Sequence, residues 1–558
     1  MRYLLLPLML ALSSISAFAV QYSATTATLS GDAVVSGNYV KMQEGAISFN
    51  SVSVSSAGMY DIAVNYKLDV DNYKAQHLVI NGSNVGEIEF TGPTTWKNVI
   101  AVARLNQGNN TVAITKYWGY VDIQYIDVTP HQNTPFNLSK NLANSNANAA
   151  AKKMFAFMQE NFQKKIISGV MTGEVLNNNN AVSLNNQKEV SFVRQSSNNK
   201  TPALVGFDFM HGTGKNSDQA WYKSYNSATI SLAKELYQRG GIPAFCWHWK
   251  DPLKNDEAFY SPTGTGDKTN FDLSKACTNA NCTAWNANSN EYISILADID
   301  IVAGYLKELQ TAGVAVLWRP VHEPSGGWFW WGKGAAPFKL LYKLIFDRLT
   351  NTHGLNNLIW VWNSEGGDFD WYPGANSVDI IGRDFYYYPA QKNHASLIGE
   401  FEKLKNLFGT TKMLALAENG SIPYSENLET DGAGWSYFMP WYGEHTNSSS
   451  HNVANDWNKV MNHNYVITLE DMPGWANYNP GSSSSTVSSS SSSANNNSNS
   501  SSSSSVGVTA ILLQGNFKDI ESVKYYSLQG QALGYVKPQK AGVYIIKQGS
   551  SVKKIVVR

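Results

Sequence analysis

The stretch Val314-Ala-Val-Leu-Trp-Arg-Pro-Val-His-Glu323 is an apolar run that ends abruptly in polar and charged residues. Buried strands of parallel sheets have such continuous apolar runs, and the polar end marks the point where the strand leaves the core. A second run, Met413-Leu-Ala-Leu-Ala-Glu-Asn419, has the same form and also finishes on a glutamate and a polar residue. Together the two runs predict a sheet with a polar edge.

Six further apolar runs alternate with helical stretches, which gives eight candidate strands in all. They are Ile166–Thr172, Ala203–Phe209, Ile242–Trp249, Val314–Glu323, Leu358–Asn363, Val378–Tyr386, Met413–Asn419 and Tyr465–Asp471. This alternation predicts an α/β fold, a (β/α)8 TIM barrel catalytic domain over 145–478. The Asn-rich segment 251–289 is predicted to be a long loop that shapes the substrate cleft.

Three other regions flank the predicted barrel. Residues 20–130 contain short alternating runs separated by turn signals such as Asn81-Gly82, which predicts a β-sandwich. Residues 481–505 are almost all Ser and Asn and are expected to form a linker. Residues 506–558 again have sequence patterns typical of strands, which predict a small C-terminal β domain.

The composition of the 558-residue chain excludes some classes of partner. Its 43 basic and 43 acidic residues balance, so it lacks the positive field that nucleic-acid binding needs. Seventeen Trp and 29 Tyr suit either carbohydrate binding or a large aromatic core. No segment after the N-terminus is long and apolar enough to predict a membrane span. We expect a monomer.

The first 19 residues are typical of a signal peptide. Arg2 supplies the positive charge, Tyr3 to Leu12 form a short apolar run, and Ala17-Phe-Ala19 fits the cleavage rule. The mature chain is expected to start near Val20 and to be secreted or placed at the cell surface.

The three cysteines are Cys246, Cys277 and Cys282. Export permits a disulfide, and Cys277 with Cys282 would close a small loop, which would leave Cys246 as a buried thiol. No metal-ligand spacing appears, so a zinc site is disfavoured and no metal-ligating residues are expected.

Glu323 and Glu418 close predicted strands four and seven, at the barrel face where catalytic groups lie. Two facing carboxyls are what glycoside hydrolysis requires, one as proton donor and one as nucleophile or base. The alternative is that each glutamate forms a buried ion pair, for instance with Arg319 or Arg383. Finding both at these positions favours the catalytic interpretation.

The segment Arg319-Pro-Val-His-Glu-Pro-Ser-Gly-Gly-Trp-Phe-Trp-Trp-Gly332 resembles the acid/base motif of glycoside hydrolase family 26, which consists mostly of β-mannanases. The resemblance implies that Glu323 is the acid/base and Glu418 the nucleophile. It also implies that His322 orients the nucleophile or the sugar 2-hydroxyl. Retention by double displacement would follow, with the carboxyls about 5–5.5 Å apart.

The same resemblance implies four further substrate-binding residues. Tyr386 would hydrogen-bond near the nucleophile, and His248 would contact the sugar at the cleavage subsite. Trp328 and Trp441 would be subsite aromatics. Two sets are left open: Trp330 and Trp331 fit the cleft and the core equally well, and Asp208 and His211 are expected near the cleft without an assigned role.

Residues 20–130 resemble carbohydrate-binding module family 35, through Gly58-Met-Tyr-Asp-Ile62, the Ile80-Asn-Gly82 turn and Trp96. Trp118 is the candidate sugar-stacking residue, with a core position as its alternative. Such modules often hold structural calcium, but the first strand lacks Glu, so no cofactor is expected, although Asp127 could serve as a ligand.

The C-terminal residues 506–558 resemble the sorting domains of type nine secretion, through Tyr526-Ser-Leu-Gln-Gly530, Ala541-Gly-Val-Tyr544 and the basic terminus. A second carbohydrate module is the rival interpretation, and the lack of Trp in this tail argues against it.

The sequence therefore predicts a secreted endo-β-1,4-mannanase acting on plant cell-wall β-mannan, glucomannan or galactomannan. Alternatives with the same machinery are a β-glucanase, a β-1,3-xylanase or an exo-acting mannobiohydrolase. A non-catalytic carbohydrate-binding protein is the alternative from another class.

Overall fold

The computed structural model describes residues 19–70, 73–92, 94–176 and 182–481, and the backbone of 524–526, 532–534, 542–548 and 551–557. The chain divides into two compact units, Met1–Ser482 and Ser483–Arg558. The predicted signal peptide, the Ser-rich linker and residues 506–523 lie outside the described residues, except at positions 19 and 481.

Two antiparallel sheets form the N-terminal module, as the sequence predicted. One has the order β3-β4-β11-β6-β9 with β1 on β11, and the other has the order β2-β5-β10-β7-β8. The strands are β1 Val20–Ser23, β2 Thr28–Ser30, β3 Val34–Ser36, β4 Tyr39–Lys41, β5 Ala46–Val54, β6 Gly58–Lys67, β7 Lys74–Ile80, β8 Ser83–Phe90, β9 Lys97–Leu105, β10 Gly108–Trp118 and β11 Asp122–Pro130.

Alternating side chains explain how this module forms its core. Along β6, the buried residues Tyr60, Ile62 and Val64 recur at every second position, the period of a strand with one face inward. Between β7 and β8, Asn81 and Gly82 both have positive φ, 50° and 86°. That conformation fits the type I′ turn expected of an Asn-Gly hairpin.

Eight parallel strands form the barrel, which confirms the predicted fold. In sheet order they are β13 Gly169–Met171, β14 Leu204–Asp208, β15 Ile242–Trp247, β16 Val316–Pro320, β17 Leu358–Ser364, β18 Ile380–Phe385, β19 Met413–Asn419 and β20 Phe438–Pro440. A parallel bridge between Ile167 and Tyr437, which lie just ahead of β13 and β20, brings the starts of these two strands together. Catalytic groups are expected where these strands end.

The prediction of the eighth strand was wrong. Strand eight is the three-residue β20, whereas the predicted run 465–471 contributes only β21, Val466–Ile467, which pairs with β12, Ile166–Ile167, outside the eight-stranded sheet. A strand of three residues carries too little periodicity to stand out in a sequence. The error matters because β20 delivers the residues that follow it, beginning with Trp441, to the mouth of the barrel.

The helices surround this barrel. They are α1 Ala149–Asn161, α2 Lys188–Ser196, α3 Ala220–Gln238, α4 Asn290–Thr311, α5 Ala335–Asp347, α6 Ile398–Phe408, α7 Ser425–Asp431 and α8 Ala454–Met461. Among the described residues, none of the helices is both long and apolar enough to cross a membrane.

The segment 251–289 is a long loop, as predicted, with one short 3-10 turn at Leu273–Ala276. Cys277 and Cys282 form a disulfide within it, and Cys246 is a buried free thiol. The loop ends at Ser289, whose side chain accepts a hydrogen bond from the Tyr292 backbone and caps α4.

The module and the barrel have separate apolar cores, and polar contacts join them around α6. The ammonium of the partly buried Lys403 lies between Glu89 of the module (3.1 Å) and Glu400 of α6 (2.8 Å). Lys405 donates to Asn133 (2.6 Å) in the connecting segment. Three further contacts are Arg104 to the Thr430 carbonyl (2.8 Å), Asn393 to the Asn84 carbonyl (2.8 Å) and His131 to Glu402 (3.4 Å).

The second unit contains one antiparallel sheet of order β23-β22-β24-β25. Its strands are β22 Lys524–Tyr526, β23 Ala532–Gly534, β24 Gly542–Gln548 and β25 Ser551–Val557. The last four residues of the predicted sorting motif, 527–530, lie outside the described residues.

Candidate active site

Glu323 lies just beyond β16, on a backbone turn that departs from ordinary strand geometry. Val321 and Glu323 have φ values of 45° and 49°. A β-branched residue such as Val321 is strained in this left-handed region, and the surrounding fold has to hold it there. Strain of this kind concentrates where a side chain must be aimed. Here the turn carries the Glu323 carboxyl into the barrel mouth.

One neighbouring indole holds the Glu323 carboxyl. The Trp328 indole nitrogen donates to Glu323 Oε2 at 2.9 Å. A Cβ atom on Gly326 would lie 2.1 Å from the Trp328 ring, so only glycine leaves room for the ring in this position. The Trp328 carbonyl in turn accepts from the Ser261 backbone at 2.7 Å, which ties the long loop to the motif.

Glu418, at the end of β19, is held from two sides. Arg319 donates a short hydrogen bond to Oε1, and the Tyr386 hydroxyl donates to Oε2 at 2.8 Å. His322 Nε2 lies 4.0 Å from Oε1. Because both oxygens accept hydrogen bonds, the group is arranged as an ionised carboxylate.

Arg319 is fixed by residues at the ends of two other barrel strands. Its guanidinium donates to Asp384 Oδ2 at 2.9 Å and to Asn363 Oδ1 at 3.2 Å, and Asn363 donates to Asp384 Oδ1 at 2.5 Å. The ion-pair alternative therefore holds for Glu418, which pairs with Arg319. Among the described residues Glu323 has no such partner, and its polar contact is Trp328.

The two carboxyls lie close together and differ in electrostatic environment. An oxygen of Glu323 lies within 4.8 Å of one of Glu418. Burial raises the pKa of Glu323 well above its usual range, and the charges of Glu365 and Glu418 raise it further. The Trp328 hydrogen bond and the Arg319 charge act in the opposite direction. The environment of the pair therefore favours the protonated form of Glu323 beside Glu418, which is paired with Arg319.

Two histidines adjoin the carboxyl pair. His248 is buried after β15, and its Nδ1 lies 2.6 Å from Asp208 Oδ2, which leaves Nε2 as the atom available to a ligand. Although burial opposes ionisation, the adjacent His248 holds the pKa of Asp208 below its usual value. Burial and the charge of Arg319 lower the pKa of His322 well below its usual value, so this ring is neutral. The His248 and His322 ring centroids are 4.5 Å apart.

The tryptophans named from the sequence divide into cleft and core. Trp441 follows β20 and is half-buried, with its ring centroid 5.7 Å from that of His248. Trp330 and Trp331 are fully buried, and their indole nitrogens donate to the carbonyls of Trp249 and His322. These two residues are therefore core residues that brace the backbone around Glu323.

Of the two residues that had no assigned role, Asp208 orients His248, whereas His211 lies apart from the carboxyl pair. His211 is surrounded by Trp221, Tyr222 and Tyr225. Burial and the nearby Lys250 lower its pKa to about 4, so it is neutral at ordinary pH.

Sequence reasoning missed three polar residues of the site: Asn363, Glu365 and Asp384. Each stands within two residues of the end of a predicted strand, so the rule that identified the two glutamates could have found them. Glu365 follows β17, lies 3.6 Å from Arg383, and has a buried Oε1 with no hydrogen-bond partner among the described residues.

The candidate carbohydrate site of the module is exposed. Trp118, at the end of β10, is 61% exposed, so the core alternative does not hold, and Tyr120 beside it is 50% exposed. Asp127 accepts a hydrogen bond from Gln21 at 3.1 Å. Within the described residues, the groups of three side chains arranged to hold a metal all lie in the barrel, so calcium in the module rests on the family resemblance alone.

Comparisons with known proteins agree with this architecture. Residues 143–471 match the family described as Glycosyl hydrolase family 26, and residues 14–131 match Carbohydrate binding module (family 35). A relative from Thermothelomyces thermophilus named "Mannan endo-1,4-beta-mannosidase" is 34% identical over 480 residues, which is 83% of this chain and 92% of the relative.

Two solved structures are similar to this protein. A GH26-CBM35 β-(1,4)-mannanase from Podospora anserina is 32% identical with a TM-score of 0.55, covering 82% of this chain and 99% of that one. A β-mannanase from a symbiotic protist of the termite Reticulitermes speratus, complexed with gluco-manno-oligosaccharide, is 40% identical with a TM-score of 0.55, covering 61% and 100%. The protein therefore belongs to glycosyl hydrolase family 26.

Proposed function

We propose that this protein is an endo-acting β-1,4-mannanase that retains anomeric configuration. The observation that carries the mechanism is the spacing of Glu323 and Glu418, with oxygens within 4.8 Å. Retaining enzymes hold their carboxyls about 5–5.5 Å apart, whereas inverting enzymes leave a wider gap for water. The substrate is supported by relatives named mannan endo-1,4-β-mannosidase and by the carbohydrate-binding module that precedes the barrel.

In the first step, a Glu418 oxygen attacks the anomeric carbon while Glu323 donates its proton to the departing glycosidic oxygen. The electron pair of the broken bond leaves with that oxygen, and a covalent glycosyl ester forms on Glu418. Arg319 and Tyr386 hold the nucleophile in one orientation, so little reorganisation is needed for attack.

In the second step, Glu323 accepts a proton from water, which attacks the anomeric carbon and releases Glu418 as a carboxylate. Ester formation has removed the negative charge of Glu418, one of the charges that raise the pKa of Glu323. The pKa of Glu323 therefore falls between the two steps, which converts the acid into a base.

The test is hydrolysis of mannan, glucomannan, galactomannan, lichenan and xylan by the purified full chain. We expect internal cleavage of the mannans into a range of oligosaccharides, and initial products of β configuration by NMR. Mannobiose as the sole product would favour the exo-acting alternative, and preference for lichenan or xylan would favour the other specificities. Absence of hydrolysis on every substrate would support a non-catalytic protein. Glu418→Ala prepared in parallel controls for contaminating activity.

Export is a separate proposal, supported by Arg2, the apolar run to Leu12 and Ala17-Phe-Ala19. We expect protein recovered from the culture medium to begin near Val20 by N-terminal sequencing, and retention of intact Met1 inside the cell would contradict this. Deletion of 506–558 tests the sorting role of the tail, since it should block release in a host with type nine secretion.

A further inference from the structure

We propose that Glu444, His445 and His451 bind a divalent transition metal of the zinc class at the rim of the cleft. One ligand atom from each side chain lies within 4.8 Å of the others. The three residues belong to the loop between β20 and α8, and Tyr386, beside the nucleophile, lies next to them. A sequence search for regular ligand spacing does not find them, because the fold of this loop brings them together.

The loop that carries these residues is fastened to the barrel. The amide of Asn452, which is fully buried, donates to the carbonyls of His445 (2.5 Å) and Gly420 (2.9 Å) and accepts from the Ile422 backbone (2.9 Å). The His451 carbonyl accepts from the Ser421 hydroxyl at 3.1 Å. Both histidines are thereby held against the turn that follows β19. Folding therefore already accounts for most of the conformational entropy that is lost when the ligand residues are brought together.

The two imidazoles have unused donor atoms. Nδ1 of His445 and Nδ1 of His451 are buried and have no hydrogen-bond partner among the described residues. A buried polar atom without a partner costs about 1–3 kcal/mol, and its presence at a defined place calls for an explanation such as a bound ion or water. The ring centroids lie 4.4 Å apart, and two such rings can face one ion.

The ligand set indicates the class of metal. Two imidazoles and one carboxylate suit zinc, copper or nickel, whereas calcium and magnesium prefer sites made of oxygen ligands alone. Three protein ligands leave a coordination position for water or a sugar hydroxyl. Glu444 is exposed, so an ion can reach the site from solvent without opening of the fold.

The proposed site adjoins the catalytic centre. The His445 ring meets the Tyr386 ring edge-on with centroids 5.0 Å apart, and Tyr386 donates to Glu418. The binding measurements below do not depend on mannan hydrolysis, so failure of this proposal is distinguishable from failure of the proposed function.

The experiment is calorimetric titration of the full chain with zinc chloride after removal of metals by a chelator, together with thermal unfolding. We expect one zinc per chain and a higher Tm with zinc. Glu444→Gln and His445→Asn should each weaken binding at least about tenfold, because even loss of an outer-shell partner commonly costs ten- to hundredfold. Glu444 is exposed, so Glu444→Gln should leave folding intact.

The matched control is His463→Gln. His463 lies 3.7 Å from Glu429 in a surface histidine–glutamate pair outside this loop. The His463→Gln variant should bind zinc as tightly as the unaltered protein does. The proposal would be overturned if the unaltered protein does not bind zinc. It would also be overturned if Glu444→Gln and His445→Asn both bind zinc as tightly as the unaltered protein does.

Discussion

The ends of β16 and β19 present the same side chain in two different settings. Glu323 stands on a strained turn, with one indole as its hydrogen-bond donor and no cation paired with it among the described residues. Glu418 stands within β19, next to an irregularity of the strand at Ala417, and it is buried with a guanidinium and a phenol as donors. The difference teaches that environment assigns the roles: the first setting favours a proton on the carboxyl, and the second favours a charge.

Loss of the Glu418 carboxyl should have the largest effect. We expect Glu418→Ala to lower kcat by roughly four to six orders of magnitude, as removal of a covalent nucleophile does. Azide should partly restore activity by entering the vacated space, and its product should have inverted configuration. The exposed Glu429→Ala serves as control, and ordinary mannan hydrolysis by Glu418→Ala would refute the assignment.

Loss of the Glu323 carboxyl should be milder and should depend on the substrate. We expect Glu323→Ala to slow mannan hydrolysis roughly a hundred- to ten-thousandfold, the usual contribution of general acid–base catalysis. Attack by Glu418 on a dinitrophenyl mannobioside should be nearly unaffected, because that leaving group needs no proton. Azide should then give a product of retained configuration. Equal losses on both substrates would contradict the division of roles.

The hydrogen bonding of Glu418 can be weakened while its carboxyl is kept. Tyr386→Phe deletes one hydrogen bond to a charged group, which is worth about 1.5–3 kcal/mol. We expect kcat to fall roughly ten- to hundredfold with little change in KM, because the lost bond orients the nucleophile rather than holding the substrate. Steady-state kinetics on glucomannan measure this, and a change confined to KM would place Tyr386 in substrate binding alone.

The pKa of the Glu323 carboxyl can be shifted in both directions by substitution of its neighbours. Glu323 must be protonated to act, so kcat/KM falls as pH rises through its raised pKa. Glu365→Gln removes a negative charge that raises this pKa, so the alkaline limb should move to lower pH. Trp328→Phe removes a hydrogen bond that lowers it, so the limb should move to higher pH. Shifts of the same sign in the pH profiles would contradict this account.

The smallest effect is expected outside the barrel. Trp118→Ala should reduce retention of the protein on insoluble mannan without changing kcat on soluble oligosaccharides, because the exposed indole lies in the module and not in the cleft. Pull-down on insoluble mannan measures this, with the exposed Val34→Ala as control. Unchanged retention would remove Trp118 from the binding surface.

Much of this contrast could be predicted from the sequence. Apolar runs closing on Glu323 and Glu418 indicated the barrel and the pair, because buried parallel strands carry a strong compositional signal. The partners of the pair were harder to identify. Arg319 was considered only as an alternative partner, and Asp384 and Asn363 were missed, since their roles depend on side-chain geometry across three strands.

Short elements and loop clusters explain the remaining errors. The eighth strand has three residues, and a sequence pattern cannot separate three apolar residues from a buried turn. Glu444, His445 and His451 form a group through the fold of their loop, which Asn452 and Ser421 fasten to the barrel. Trp118 could not be assigned to surface or core, because a lone tryptophan at a strand end fits both.

The contacts of α6 with the module have a consequence for how the protein would work on a solid. When a flexible linker joins a binding domain to a catalytic domain, the catalytic domain can reach substrate anywhere within a volume that the linker length sets. Here Lys403 holds the module against the barrel and Lys405 holds the connecting segment, so the aromatic face around Trp118 keeps one distance and orientation relative to the cleft. Each adsorbed molecule would then cleave the polysaccharide at a fixed distance from the point where its module binds, so the cleaved bonds would cluster around each binding point.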